Sequence, residues 1–176
     1  KTVEEGVDAA LTAGANLVVI CSSDDEYAEY AIPAFKYLDG RAMFIVAGAP
    51  ACMEDLKAAG IENILALRGD KPKDFCGDPF VDFHYASELV EEIKAYGDFC
   101  IGGACYPEGH PESKNSTADI DSLKQKVDCG CEFLTTQMFF DNSILYNFLY
   151  QGYNMNIYTR SSICLFCCSV FFTFYC

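Results

Sequence analysis

The sequence predicts an α/β fold made of parallel βα units, on three observations. Short apolar, β-branched runs recur at Leu17-Val18-Val19-Ile20, Met43-Phe44-Ile45-Val46, Ile64-Leu65-Ala66-Leu67, Phe99-Cys100-Ile101 and Phe133-Leu134-Thr135. Hydrophobicity that runs on without alternating marks strands buried on both faces. Amphipathic helical patterns separate these runs, as crossovers between parallel strands require. Polar motifs begin where several of the runs end, the place where a rigid scaffold presents its chemistry.

The helical segments follow from spacing and caps. Over residues 25–38, Ala28, Ala31, Phe35 and Leu38 are expected to face inward, and Pro33 is expected to kink or break the helix. Residues 51–59 read as a short helix before Gly60. Between Tyr85 and Tyr96, Ala86, Leu89, Val90 and Ile93 have i, i+3, i+4, i+7 spacing, and Gly97 supplies the stop. From Asn115 to Asp128, Asn115 or Ser116 can cap, while Ile120, Leu123 and Val127 form the buried stripe ahead of Gly130. A neighbouring stripe on that helix is Asp119, Ser122 and Lys126.

Composition narrows the function. The 176 residues are 51% hydrophobic and 22% charged, enough for the core of one ordinary domain. A net charge of -14 argues against nucleic acid or an anionic membrane as partner and leaves small-molecule chemistry or protein partners. The acidic start, Lys1-Thr2-Val3-Glu4-Glu5, has no signal-peptide core, so the 11 Cys are read as thiols of a cytoplasmic protein. Cys21, Cys100 and Cys105 lie in apolar runs and are expected to be small buried hydrophobes. The pair Cys129-Gly130-Cys131 and the run Cys164-Leu165-Phe166-Cys167-Cys168 lack a completing His or Cys set, so no metal is expected. Residues 151–176 carry one charge, Arg160, and their final fourteen residues are too few for the roughly 20 a membrane helix needs. Without periodicity, cap or turn signal, this apolar tail reads equally as a frameshifted sequence or as a genuine element, either a buried terminal strand or helix or a membrane-touching tail.

Three motifs carry the chemistry. Arg68-Gly69-Asp70 follows a strand: Gly69 permits close backbone approach to a ligand, Arg68 can neutralise a phosphate, and Asp70 can set a carboxylate at a reacting centre. In Tyr106-Pro107-Glu108-Gly109-His110-Pro111, Tyr106 can stack on a planar ring, and His110 can contact a ligand or carry a proton. Asp119 and Lys126 on the following helix make ribose and phosphate contacts credible. Gln137 in Thr136-Gln137-Met138-Phe139-Phe140-Asp141 offers an amide that both donates and accepts at a heteroaromatic edge, with Phe139 and Phe140 as a stacking wall or as core. Taken singly, each motif reads as well as a surface turn; three at successive strand ends point to a ligand site.

From about Gly60 to Tyr150 the chain resembles methylenetetrahydrofolate reductase. The likeness runs through Asn63-Ile64-Leu65-Ala66-Leu67-Arg68-Gly69-Asp70, Tyr85-Ala86-Ser87, Tyr106-Pro107-Glu108-Gly109-His110-Pro111-Glu112, Leu123-Lys124-Gln125-Lys126-Val127-Asp128 and Thr136-Gln137-Met138-Phe139-Phe140-Asp141. The resemblance implies a (β/α)8 barrel holding FAD that passes a hydride from NAD(P)H through the flavin to 5,10-methylenetetrahydrofolate. It implies FAD contacts at Arg68, Gly69, Asp70, Ala86, Tyr106, His110, Asp119 and Lys126, with Ser113, Ser122 and Gln125 at further cofactor-lining positions. Asp70 matches the acidic residue near the flavin ring that also meets folate, and Gln137 the amide that touches folate and nicotinamide; both are the catalytic candidates. The family's proton-donating Glu, in an aromatic and proline-rich motif on its first strand, has no counterpart here. The strands expected after Tyr150 have none either, so the chain is expected to be a poor catalyst or an inactive one.

The first sixty residues are similar to something else. Gly14-Ala15-Asn16-Leu17-Val18-Val19-Ile20-Cys21-Ser22-Ser23-Asp24-Asp25-Glu26-Tyr27-Ala28 and Val46-Ala47-Gly48-Ala49-Pro50-Ala51-Cys52 resemble the flavodoxin-like domain of a methylmalonyl-CoA mutase small subunit. The Asp-x-His-x-x-Gly loop of cobalamin-binding domains is lacking, so this part implies a non-catalytic segment that pairs with a mutase large subunit. Ser22, Ser23 and Asp24 are read as helix caps. The expected organisation is therefore a partial flavodoxin-like segment (1–60), a partial (β/α)8 barrel segment (61–150) and the apolar tail (151–176), a chimera whose oligomeric state is left open.

Overall fold

The computed structural model describes residues 2–22, 26–69 and 83–157; Asp70, Ser23, Asp24 and the tail from residue 158 lie outside them. Five parallel strands form one sheet in sequential order: β1 (Leu17–Cys21), β2 (Met43–Gly48), β3 (Asn63–Ala66), β4 (Cys100–Cys105) and β5 (Phe133–Thr136). The helices are α1 (Val3–Thr12), α2 (Tyr27–Leu38), α3 (Met53–Ala58), α4 (Ala86–Tyr96), α5 (Ser116–Asp128) and α6 (Asn142–Asn154). The chain is thus α/β, as the apolar runs predict.

A sequential parallel order with right-handed crossovers places every crossover helix on the same face of the sheet. Consecutive helices accordingly pack on one another from α1 through α5. The strands divide as this requires. Val46, Ile64, Ala66, Ile101 and Leu134 are essentially inaccessible and share one core cluster with Leu38, Leu56, Val90 and Ile93 of the helices. Their neighbours Asn63, Leu65, Cys100, Ala104, Phe133 and Thr135 point to the other face and are only half-buried. Each fully buried Leu or Ile contributes about 1.5–3 kcal/mol over exposure, so the helix-covered face carries the stability of the sheet. The register Val46↔Ile64, Ala47↔Leu65, Gly48↔Ala66 carries the sheet across residue 60 without a break.

Several expectations need correction. Pro33 lies inside a continuous α2 and does not break it. Its ring is on the exposed side of the helix, as is Glu29, whose carbonyl loses its i+4 donor; water can solvate what proline cannot bond. The buried stripe of α2 is Tyr27, Ala31, Ala34 and Leu38, a regular i, i+4, i+7, i+11 face on which Tyr27 reaches the end of β2, and Ala28 lies off it, exposed. Cys21 is exposed and Cys100 half-buried; only Cys105 of those three is buried. Ser22 does not cap α2: its hydroxyl donates to the Glu26 carboxylate at 3.0 Å, and the N-cap residue, Glu26, makes no capping bond with its side chain among the described residues. Two helices went unpredicted. α1 carries a capping box in which Thr2 Oγ1 accepts from Glu5 N and Glu5 accepts from Thr2 N, and α6 starts on Asp141, which accepts from Ser143 N at 2.8 Å.

Candidate functional site

Parallel strands end on one edge, so the three polar motifs are brought together by topology. Ala66 and Gly103 are register partners, as are Cys105 and Thr136, and the segments following these strands emerge side by side. The backbone N–H of Gln137 donates to the Cys105 carbonyl at 2.7 Å, extending the β4–β5 ladder by one residue to the rim.

The loop after β4 is built tightly. Gly109 N donates to the Tyr106 carbonyl at 3.0 Å, and the Tyr106 and His110 rings meet edge to face with centroids 4.5 Å apart. Glu112 N donates to His110 Nδ1 at 3.1 Å, which makes Nδ1 the acceptor and leaves the ring proton on Nε2. His110 N in turn donates to the Asp119 carboxylate at 3.2 Å, tying the loop to the first turn of α5. Asn115 caps that helix, its Oδ1 accepting from Ala118 N at 2.9 Å. Tyr106, His110, Ser113 and Asp119 line one cavity of about 440 Å³ with Asn115, Asn147, Phe148 and Gln151. Sequence reasoning missed the last three. The signal was available in the i, i+4 pair Asn147 and Gln151 flanking buried Phe148 on α6.

Arg68 reaches this loop from the end of β3. Its Nη2 meets Glu112 Oε2 at 2.8 Å, Nη1 donates to the His84 carbonyl at 2.9 Å, and Nε donates to the Gly69 carbonyl at 3.3 Å. Gly69 holds φ +85, and among the described residues nothing stands within 4 Å of where a side chain would be. Ala86 opens α4 half-buried, next to a turn in which the Glu88 carboxylate accepts from His84 N and Tyr85 N.

Lys126 donates from Nζ to the Ala104 carbonyl at 2.9 Å. Burial lowers its pKa from the ordinary 10.5, and the nearby Arg68 charge pushes the same way. A side chain at Gly103 would stand 3.0 Å from Cys131 Sγ and in ordinary contact, 3.7 Å, with Lys126 Cδ, so the bare glycine makes room for the Cys131 thiol beside the lysine stem. Burial pushes the Cys105 and Cys131 thiols up to about 12, which keeps them neutral beside the ammonium.

Gln137 is exposed at the end of β5, its Oε1 accepting from Met138 N at 3.2 Å. Phe139 is buried and Phe140 is 79% exposed, so only the latter is available as a wall. The arrangement can therefore present two cations, a carboxylate, an aromatic platform and an amide along one edge of the sheet. That set suits a planar ring linked to phosphate and sugar. Among the described residues no group of His, Cys, Asp or Glu could hold a metal ion, and no helix is long and apolar enough to cross a membrane.

Comparison with known proteins gives two kinds of relative. The sequence matches the family model of methylenetetrahydrofolate reductase over residues 30–163. It is 48% identical over 95 residues to methylenetetrahydrofolate reductase 2 of Saccharomyces cerevisiae, covering 51% of this chain and 16% of that protein. With 5,10-methylenetetrahydrofolate reductase of Escherichia coli it shares 50% identity over 82 residues, 47% of this chain and 26% of that one. It is also 53% identical over 98 residues to the methylmalonyl-CoA mutase small subunit of Porphyromonas gingivalis, 56% of this chain and 13% of the subunit. The chain thus spans only 13 to 26% of the length of these relatives. In fold it is similar to a Clostridium thermocellum protein that binds two copies of 5-methyl-5,6,7,8-tetrahydrofolic acid. The TM-score is 0.55 at 18% identity, over 87% of this chain and 55% of that one, a likeness of fold alone.

Proposed function

The chain belongs to the methylenetetrahydrofolate reductase family, and on that premise we propose that it binds FAD along the strand-end rim. The reaction it serves is the family's hydride transfer from NAD(P)H through flavin to 5,10-methylenetetrahydrofolate, giving 5-methyltetrahydrofolate, in the cytoplasm. The observation that carries this reading is the convergence of Tyr106, His110 and Asp119 on one cavity, with Arg68 joined to the same loop by Glu112.

The residues present fit the cofactor. Arg68 and Lys126 are the cations for its diphosphate, and Lys126, spending one ammonium N–H on Ala104, has two more to offer. Asp119 is the acceptor for ribose hydroxyls. Tyr106 and His110 wall one side, and Gly69, whose position among the described residues would leave room for a Cβ, is where the cofactor would approach the end of β3. Bound flavin supplies a two-electron carrier. Gln137, exposed at the end of β5, is the amide for folate or nicotinamide, and Asp70 is assigned, by the family resemblance alone, as the carboxylate beside the ring. Titration of the purified chain with FAD, followed by visible absorbance and quenching of flavin fluorescence, tests the reading. Saturable binding supports it; a colourless protein indifferent to FAD overturns it.

The match to the mutase small subunit favours a second reading, in which residues 1–60 are a segment that contacts a mutase large subunit. Co-purification with a large subunit is the expected result, and failure to associate excludes it.

A further inference from the structure

We propose that Glu112 is a positioning residue that presents Arg68 to the cofactor, an inference that rests on the flavin reading above. Glu112 stands 44 residues from Arg68 in sequence and on a different loop, yet its carboxylate meets Arg68 Nη2 at 2.8 Å. The opposite arm of the same guanidinium donates to the His84 carbonyl at 2.9 Å. Both ends of the planar fork are therefore held by separate loops, and the fork's orientation is set, since a guanidinium cannot rotate about its own bonds to satisfy two fixed acceptors in another pose. The arginine side chain is 15% exposed against 49% for the glutamate, so the carboxylate lies on the outer side of the pair and the cation on the inner.

The same residue governs His110. Its backbone N–H donates to His110 Nδ1 at 3.1 Å, which selects the tautomer with the proton on Nε2. Glu112 thus sets the direction of one cation through its side chain and the donor face of an imidazole through its backbone. Those two groups come from the loops after β3 and β4. A glutamate at this spot does more than pair charge: it holds two strand-end loops in the relative placement that a ligand spanning them needs.

The test combines two readouts. In FAD titrations, Glu112→Ala is expected to weaken binding about tenfold, and Glu112→Gln, which keeps an acceptor oxygen, by less. In the Arg68→Met background, Glu112→Ala is expected to add little, because a residue acting through Arg68 has nothing left to position. Additive losses overturn the proposal. Independently of FAD, the Arg68 Nη2–H signal in ¹⁵N-labelled protein, the arm that meets Glu112, is expected to be resolved and slow to exchange in the unaltered chain and in Glu112→Gln, and lost in Glu112→Ala. A signal unchanged in Glu112→Ala refutes the clamp whether or not flavin binds. A chain that ignores FAD while losing that signal refutes the flavin reading, and with it the positioning role toward the cofactor, and leaves the clamp alone standing.

Discussion

The Tyr27 hydroxyl donates to the Ala47 carbonyl at 2.6 Å, linking the first turn of α2 to the end of β2 from beneath. Tyr27 is 1% exposed. The contact exists because the next residue has no side chain: a Cβ on Gly48 would stand 1.9 Å from the Tyr27 oxygen, at φ +136. Gly48→Ala therefore combines backbone strain of about 1–2 kcal/mol with loss of a buried hydrogen bond worth about 1 kcal/mol. Urea unfolding should show a loss of about 2–3 kcal/mol, and Tyr27→Phe about 1 kcal/mol. A Gly48→Ala protein as stable as the parent would mean that the β2 end adjusts freely.

On the half-buried face of the sheet, the Phe133 ring lies over Gly102, its register partner; a Cβ there would come within 2.2 Å of the ring. Gly102→Ala should be destabilising, and Phe133→Ala should relieve most of that cost. Contacting residues couple by about 0.5–3 kcal/mol, so a double-mutant cycle should return at least 1 kcal/mol. Additivity would show that the ring moves aside without cost.

The thiols should differ sharply in reactivity. Cys21 is exposed, whereas burial raises Cys105 and Cys131 to about 12 from an ordinary 9.0. Brief alkylation of native protein near pH 8, read by mass spectrometry, should label Cys21 ahead of Cys105 and Cys131, and that buried pair only as the chain unfolds. Equal rates would contradict the packing of β4 against α5. A raised thiol pKa also means that the folded chain keeps protons the unfolded chain releases. The stabilisation from Cys105 and Cys131 is therefore whole below pH 9 and is lost as pH rises from 9 towards 12.

Lys126 has the opposite sign. Its folded pKa lies below 10.5, so the unfolded chain holds the proton more tightly, and the charge opposes folding at neutral pH. Lys126→Met should leave the thermal midpoint unchanged or raise it, while weakening FAD binding about tenfold, roughly 1.4 kcal/mol. A lowered midpoint would show that the bond to Ala104 outweighs the desolvation of the ammonium.

The helix ends give a further check. Asn115→Ala removes the acceptor for Ala118 N and should cost about 1 kcal/mol, within the range found for N-caps. Amide exchange should speed up in the first turn of α5 and, through Asp119, at His110. Protection unchanged at His110 would separate that turn from the loop.

What the sequence determined by itself is whatever depends on short-range periodicity and termini. The runs at 17–20, 43–46 and 133–135 became strands, and the spacing of Leu89, Val90 and Ile93 became the buried stripe of α4, because a side chain's face follows from its neighbours' spacing. The strand-end motifs were legible for the same reason, since parallel strands share an edge. Local rules misjudged Pro33, whose cost depends on whether its side of the helix meets water, and Cys21, whose exposure depends on what covers the end of β1. Glu112 stood in a recognised motif without a role, because its partner lies 44 residues away and only the folded sheet brings the two loops together. Spacing along a chain decides which way a residue points; the sum of all packed elements decides what it meets there.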